Sequence, residues 1–467
     1  MKLKKLVKDL DVEVKGSKEV EVTGISSHSQ FITPGSLFIA KKGKTFDGSE
    51  FISKAIETGA VAVLTDIYNP FLQGIVQIVT SDVNKLEALL AKRYYETEKN
   101  SLYLIGITGT NGKTTTAYLI QHLLPHFGLM GTIETIMGKQ RFQAQLTTAD
   151  VVTNHKTLRE MADQGLKGAV MEVTSHALDQ NRVGEIQFDL AIFTNLSQDH
   201  LDYHGTMDEY FKAKLKLFEK ARAKIYNLDD PRAKEFHEGM TFGIRTPADL
   251  QAKNIQFSLE GTTFNLHMNG KVFPMRSPLI GEYNVYNVLA ALAAGLKKGE
   301  RLSTLQKRLE TFPGVPGRLE RIENPKGIHL FVDFAHTPEA LSSILQTLHA
   351  FKKGRIITIF GCGGERDRDK RPKMGRIAER YSDQLIVTSD NPRSEDPEMI
   401  CKEVAAGLSR EPIIEVDRRS AIERGIFMAK KNDIVLIAGR GHEPFQKIKG
   451  RLLPFDDREV AREIAAN

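Results

Sequence analysis

An α/β fold in three parts is predicted by three features of the chain. Apolar runs alternate with helical patterns over most of its 467 residues, the rhythm of strands joined by crossover helices. That length exceeds what one hydrophobic core ordinarily serves. A Pro/Gly-rich stretch, FPGVPGR (312–318), interrupts the alternation and reads as a hinge. The expected parts are a small α/β unit over 1–98, a central and mostly parallel sheet carrying an antiparallel hairpin over 99–314, and a Rossmann-like doubly wound unit over 315–467.

In the first part, SLFIA (36–40) and AVAVLT (60–65) read as short strands. In the second, LYLIGIT (102–108) reads as a buried strand and KTTTAYLIQHLL (113–124) as the helix after it. Further strands are expected at GAVMEVT (168–174), LAIFTNL (190–196) and AKIYNL (223–228). From about residue 255 to 280 the period changes to two, with a turn at MNG (268–270), which predicts the hairpin. YNVYNVLAALAAGL (283–296) follows as a helix. Beyond the hinge, IHLFVDFA (328–335), RIITIFG (355–361), DQLIVTSD (383–390), PIIEV (412–416) and DIVLIAG (433–439) alternate with helical stretches, as a doubly wound sheet requires.

Composition narrows the function classes. Hydrophobic residues make up 41% of the chain, enough for buried cores and against general disorder. The net charge of +6 suits an anionic substrate, and equally a basic enzyme with none. Basic residues form no run beyond MKLKKLVK at the start, so no nucleic-acid partner is expected. Cys362 and Cys401 make neither a metal-ligand spacing nor a disulfide framework, which favours a reducing, cytoplasmic setting. No stretch approaches 18 apolar residues and no signal-like segment opens the chain, so no membrane partner is expected either.

GITGTNGKTTT (106–116) carries the strongest chemical signal. A strand runs into a Gly-rich turn, and a Lys-Thr pair opens a helix. Backbone N–H groups and the helix N-terminus can cradle phosphates there, Lys113 can meet the β/γ oxygens, and Thr114 can hold Mg²⁺. Ile107 stands where the strict phosphate-loop pattern has its first glycine, but Gly109 and Gly112 lie in the turn. Glu172 falls inside an apolar strand, where an acid needs a cation: a metal on the neighbouring phosphate loop, or a local Lys or Arg. TNLSQDHLDYHG (194–205) clusters Asp199, His200, Asp202 and His204 just past a strand. Zinc is one reading and a single metal-binding His beside a structural one is the other, with no HExxH or Cys partner to favour zinc. By spacing alone, Lys214 belongs to a solvated basic row with Lys212 and Lys216. In the third part VDFAHTPEAL (332–341), GCGGERDRDKRP (361–372) and GRGHEPFQ (439–446) each follow a strand, where open α/β sheets place their ligands. DNPRSEDP (390–397) sets Arg393 among Asp390, Glu395 and Asp396. Those acids either neutralise it on a turn or leave it to receive an anion.

Taken together, TGTNGKTTT, MEVTSHAL, TNLSQDHLDYHG, GEYNVYNVLAA, VPGRLE, VDFAHTP, GCGGERDRDKRP, DNPRSEDP and GRGHE resemble the Mur ligases, in collinear order over nearly the whole chain. Within that family the resemblance is to ligases that add meso-2,6-diaminopimelate to UDP-N-acetylmuramoyl-L-alanyl-D-glutamate. It implies an N-terminal domain for the uridine nucleotide, a central ATPase and a C-terminal domain for the amino acid, working as a monomer on small molecules, with ATP and Mg²⁺. It further implies that ATP phosphorylates the D-glutamate carboxylate and that the incoming amine attacks the acyl phosphate.

By position, the resemblance assigns catalysis to Lys113, Glu172, His200 and Lys214, and the metal to Thr114, Glu172, His200 and a carbamylated Lys214. ATP falls to Gly109, Thr110, Asn111, Gly112, Lys113, Thr114, Thr115, Asn287, Arg318 and Asp333. The UDP-linked substrate falls to Ser27, Lys44, Thr45, Thr147, Thr148, Thr174, Gln180 and Arg182. Diaminopimelate falls to Arg366, Asp390, Asn391, Pro392, Arg393, Gly439 and Glu443. Two departures stand out: SSH (26–28) where the family has D-S-R, and GRGHE where it has GKGHE. The competing readings are a lysine-adding ligase of the same fold, a folylpolyglutamate synthetase, and a non-catalytic ATP-binding regulatory module.

Overall fold

A computed structural model describes residues 1–42 and 47–466 of the chain. They form two compact units. Of the described residues, the first comprises those within 1–251 and 286–305, and the second 252–285 and 306–466, so the chain passes from one to the other three times.

The first unit contains two sheets. Strands β1 (Glu13–Lys15), β2 (Gly24–Ser26), β3 (Ser36–Ile39), β4 (Ala62–Thr65) and β5 (Val76–Val79) run in the order β1-β5-β4-β3-β2. All pairs are parallel except the edge pair β1–β5. The helix Val83–Tyr94, capped by Asp82, buries Leu86, Leu90 and Ala91 in one cluster with this sheet and with Val151 and Val152 of the helix Val151–Asp163. The apolar residues of that helix recur at helical spacing, which is why one face can close the sheet.

The second sheet of this unit is built on β6 (Tyr103–Thr108), with β7 (Phe127–Met130), β8 (Glu134–Met137), β9 (Gln140–Gln143), β10 (Gly168–Glu172), β11 (Phe188–Phe193), β12 (Ala221–Asn227) and β13 (Met240–Gly243). Its order is β13-β12-β11-β6-β10-β7-β8-β9. From β13 to β7 every pair is parallel, and β7–β8 and β8–β9 are antiparallel. Strand β6 leads to β7 on one side of the sheet, and its neighbour β11 leads to β12 on the other. Such a divergence opens a crevice at the carboxyl ends of the two strands. The phosphate-loop sequence and TNLSQDH both start there.

In the second unit β14 (Leu250–Ser258), which enters from the first, precedes a hairpin of β15 (Gly261–Met268) and β16 (Lys271–Ser277). Asn269 and Gly270 join the two hairpin strands at φ 50° and 72°, the paired left-handed turn that Asn-Gly favours. A six-stranded sheet follows: β17 (Glu320–Ile322), β18 (His329–Asp333), β19 (Ile356–Phe360), β20 (Gln384–Val387), β21 (Ile413–Ile414) and β22 (Ile434–Ala438), in the order β17-β18-β22-β19-β20-β21. It is parallel apart from the edge strand β17, and helices bury one cluster on each of its faces. A ribbon of β23 (Phe445–Ile448) and β24 (Arg451–Pro454) stands apart from it. The expected strands and the helix over 283–296 are present, the helix running Glu282–Lys298. The hairpin β8–β9, the ribbon β23–β24, the short strands β1, β2, β5, β7, β13 and β17, and the first half of the nine-residue β14 escaped the sequence reading. Among the described residues no helix is long and apolar enough to cross a membrane.

Candidate active site

The turn after β6 is tight because two glycines make it so. Gly109 has φ 149°, and a Cβ there would stand 1.9 Å from Thr194 Oγ1; Gly112 has φ 85°, and a Cβ would stand 2.3 Å from Asn287 Oδ1. Gly112 also occupies the cap position of the helix Lys113–Leu123, leaving its N-terminus without a side-chain cap. The first-turn amides of such a helix have no helical acceptor, which is the electrostatic basis of an anion site. The loop is laced to the turn after β11: Thr110 N donates to Asn195 O at 2.9 Å, Asn111 N to Asn195 Oδ1 at 3.0 Å, and Thr194 Oγ1 to Asn111 O at 2.6 Å. Lys113 Nζ folds back onto the loop, 2.9 Å from both Gly109 O and Thr110 O.

Glu172, at the end of β10, is wholly buried beside this loop. Its Oε2 accepts from Thr114 Oγ1 at 2.8 Å and Thr132 Oγ1 at 3.0 Å, and its Oε1 from Thr132 N at 2.8 Å. Among the described residues no basic side chain pairs with it, so the Lys or Arg alternative raised by the sequence fails. A dry carboxylate beside a hydroxyl, with neutral partners only, is an oxygen donor set that fits a magnesium ion.

The helix Met207–Glu219 brings Lys214 to the same place. Lys214 is 2% exposed, whereas the Lys212 side chain is 67% and the Lys216 side chain 44% exposed. The expectation of a solvated row therefore fails at Lys214, because the amphipathic helix turns this position inward. Its Nζ lies 3.0 Å from Gly109 O and 4.3 Å from the centroid of Tyr210. Burial, and then the charge of Lys113, pull its pKa well below the ordinary lysine range. His200, in the turn after β11, is about half exposed, 3.4 Å from Asp199 and 4.6 Å ring to ring from His176. His204 bonds Ser175 Oγ at 3.0 Å. Among the described residues no three His, Cys, Asp or Glu side chains converge as a metal cluster, which leaves the zinc alternative without support.

A second network lies beside Glu172. Thr148 Oγ1 donates to Glu172 O at 2.9 Å and receives Thr174 N at 3.1 Å. Arg182 reaches Thr148 O at 3.0 Å and Gln180 Oε1 at 2.7 Å, and Thr132 Oγ1 donates to Thr147 Oγ1 at 3.2 Å. Thr147, Thr148, Thr174, Gln180 and Arg182 thus come together. Ser27 follows β2 in the other sheet, its buried Oγ beside the Glu87 carboxylate. Lys44 and Thr45 fall outside the described residues. Asn287 Oδ1 accepts from Thr116 Oγ1 at 3.3 Å, behind the phosphate loop. A cavity of about 490 Å³ lined by Tyr103, His155 and Asp189 lies at the opposite, amino ends of β6 and β11, away from this chemistry.

In the second unit Asp333 ends β18, accepts from Leu319 N at 2.5 Å and Ala335 N at 2.6 Å, and is pushed up to about 6 by burial. The Arg318 guanidinium stacks 4.8 Å from the Phe334 centroid, its Nε buried without a hydrogen-bond partner. The loop after β20 carries Asp390, Asn391, Pro392 and Arg393. The acids flanking Arg393 are engaged elsewhere. Glu395 is held by Arg371 at 2.9 and 3.0 Å and lies at about 2, Asp396 caps the helix Pro397–Ala405, and Asp390 Oδ1 takes Asn391 N at 2.7 Å. Half-buried Arg393, at φ 55°, donates to Gly364 O at 2.5 Å and meets no carboxylate among the described residues. Asn391 Nδ2 donates to Glu443 Oε2 at 2.7 Å, and Arg366 is exposed on the neighbouring glycine-rich turn. Gly439, at φ 119°, lets the turn after β22 pass so close that a Cβ would meet Asp390 Oδ2 at 2.6 Å.

Three family models match in order: "Mur ligase family, catalytic domain" over 21–95, "Mur ligase middle domain" over 107–295 and "Mur ligase, glutamate ligase domain" over 317–441. The chain belongs to the Mur ligase family. This Mur ligase is 42% identical to the UDP-N-acetylmuramoyl-L-alanyl-D-glutamate–2,6-diaminopimelate ligase of Chlamydia felis, covering 100% of both chains. It is also 42% identical to the enzyme of the same name from Aquifex aeolicus, over 95% of this chain and 93% of that one. A solved structure of a ligase of that name superposes with a TM-score of 0.73 at 33% identity, covering 100% of this Mur ligase and 98% of that chain. The sequence reading missed several residues around these sites, among them Thr132, Arg371, Arg418 and Asp457.

Proposed function

We propose that this Mur ligase joins meso-2,6-diaminopimelate to the D-glutamate carboxylate of UDP-N-acetylmuramoyl-L-alanyl-D-glutamate at the expense of ATP, in cytoplasmic peptidoglycan precursor synthesis. The observation that carries the choice of amino acid is the Arg393 guanidinium, held among carbonyls while every acid near it in sequence is engaged elsewhere. Diaminopimelate differs from lysine by a distal carboxylate, which a guanidinium grips with two parallel bonds. The distal ammonium of lysine would be repelled.

Residues 1–98 serve the uridine nucleotide, 99–314 the nucleotide triphosphate and 315–467 the amino acid. We take the monomer as the working unit. The phosphate loop and the N-terminus of the helix Lys113–Leu123 orient the triphosphate, and Lys113 exchanges its loop carbonyls for the β/γ oxygens. The D-glutamate carboxylate attacks the γ-phosphorus, the bridging P–O bond breaks and ADP leaves. The amine nitrogen then attacks the acyl carbon of the acyl phosphate. From the tetrahedral adduct, phosphate departs with the C–O electron pair and the nitrogen loses a proton.

Glu172 and Thr114 would hold magnesium, with His200 serving a second ion; bound there, the metal would offset phosphate charge as it shifts to the leaving oxygens. Burial and the neighbouring Lys113 charge favour the neutral form of Lys214, the form that carbamylation needs, and its carbamate would give this dry pocket a second carboxylate-like ligand. Asn287, Arg318 and Asp333 flank the nucleotide. Thr147, Thr148, Thr174, Gln180 and Arg182, with Ser27, Lys44 and Thr45, serve the UDP-linked dipeptide.

The test supplies UDP-muramoyl dipeptide, ATP and magnesium with meso-diaminopimelate, L-lysine or L-ornithine, and measures product and ADP. Product and ADP should rise together with diaminopimelate far above the other two. ATP turnover indifferent to both organic substrates would overturn the proposal.

A further inference from the structure

Arg440 lies wholly buried in the turn after β22. Its Nη2 donates to Phe455 O at 2.9 Å, its Nη1 reaches Asp457 Oδ1 at 3.5 Å, and its guanidinium lies 5.1 Å from the Phe455 centroid. Nε is different: it is buried without a hydrogen-bond partner, 4.0 Å from Glu443 Oε2. An unmade buried N–H is costly, so this one calls for a reason. Asp457 does not balance Arg440 alone. Arg418, equally buried, bonds the same carboxylate through Nε at 2.8 Å and Nη2 at 2.7 Å. Two buried cations share one buried anion, and the surplus positive charge faces Glu443 and Asp390.

Glu443 needs that surplus. It is partly desolvated and sits beside Asp390, both of which favour its neutral form. Opposing them are Arg440 on its own turn, Lys447 on β23, Arg418 on the helix Arg418–Met428, and the Asn391 amide. That amide cannot turn round, because Lys447 N holds Asn391 Oδ1 at 2.8 Å and so directs Nδ2 to Glu443.

We propose that Arg440 is a positioning residue which, backed by Arg418 and Asp457, holds Glu443 as an ionised carboxylate aimed at an amino group of the incoming amino acid. The inference rests on reading this loop as the amino-acid site. Lysine at 440 could not reach Phe455 O, Asp457 and Glu443 at once, whereas the guanidinium fork can.

The test is the pH profile of kcat/KM for meso-diaminopimelate in the wild type, Arg440→Gln, Glu443→Gln and the double variant, with KM for ATP measured alongside. For Arg440→Gln the acid limb should move up by about one pH unit, a roughly tenfold loss at acid pH that recovers to within about threefold at alkaline pH. KM for ATP should stay within about twofold, and Glu443→Gln should lose the limb so that Arg440→Gln adds nothing to it. If Arg440→Gln does not fold, Arg440→Lys carries the test, with a smaller shift of the limb in the same direction. A limb unmoved in the folded variant, or a loss equal at every pH, overturns the inference. A wild type that makes no product with diaminopimelate instead overturns the reading beneath it.

Discussion

Lys214 is the residue whose surroundings speak most directly to its chemistry. An ammonium 2% exposed, with a carbonyl and a tyrosine face for company and Lys113 as its electrostatic neighbour, gains little from staying charged. Lys214→Ala should lose activity by on the order of 10²-fold or more, and added formate or acetate should restore a measurable part of it by standing in for the carbamate proposed on Lys214. Full activity without rescue would assign Lys214 to packing. Arg393 supports a second prediction. Arg393→Ala should lower kcat/KM for diaminopimelate by on the order of 10²-fold while narrowing the preference over lysine, since one charged hydrogen-bonded pair is worth about 1.5–3 kcal/mol. Unchanged kinetics with both amino acids would reduce Arg393 to a surface cation. Both residues could be picked out of the sequence by motif. Their environments could not, because burial of Lys214 depends on how its helix is rolled, and the freedom of Arg393 depends on Arg371 claiming Glu395 from 24 residues away.

At the level of the elements, long apolar strands and the helices after them were legible because each signals itself locally. Most of the misses share a cause: β7, β8, β9, β13 and β23 span only four residues each, too few for a period to declare itself, and only the nine-residue β14 falls outside that account. The ribbon β23–β24 matters beyond its size. Its strand takes Arg393 N through Lys447 O at 3.0 Å, returns Lys449 N to Arg393 O at 2.6 Å, and sets Gln446 Nε2 against Asp390 O at 2.6 Å. The loop carrying Arg393 is thereby held by a segment some 55 residues downstream, most of which lies past the GRGHEPFQ motif. Between β6 and its helix, Gly109→Ala should be severe, since the Cβ would meet Thr194 Oγ1 at 1.9 Å and the φ of 149° disfavours any side chain. ATP binding measured by calorimetry should fall by at least about tenfold, and stability by about 2–3 kcal/mol. Wild-type affinity in this variant would contradict the tight turn described here.

The whole molecule responds to pH through a buried group in each unit. His155 is fully buried between Thr97 Oγ1 at 2.7 Å and Gly184 O at 3.0 Å, and burial brings it down to about 4. Its folded pKa lies below the unfolded value near 6.5, so its contribution is present above that value and is lost as pH falls towards 4. The loss from this group is at most about 3 kcal/mol. Asp333 acts in the opposite sense, because a carboxyl raised to about 6 contributes stability at low pH that disappears as pH rises through that value. Because the two contributions oppose each other between pH 6.5 and 4, the test is a difference: over that interval the urea midpoint of His155→Gln should lose less, or gain more, than that of the wild type, and identical slopes would remove His155 from the account. The interleaving of the two units has a different kind of consequence, one of timing. Gly112 fits against Asn287, yet residues 252–285 of the other unit must emerge from the ribosome between them. A nascent chain stalled anywhere before residue 287 therefore carries an unfinished phosphate loop, and the completed one arrives only after part of the second unit has been made.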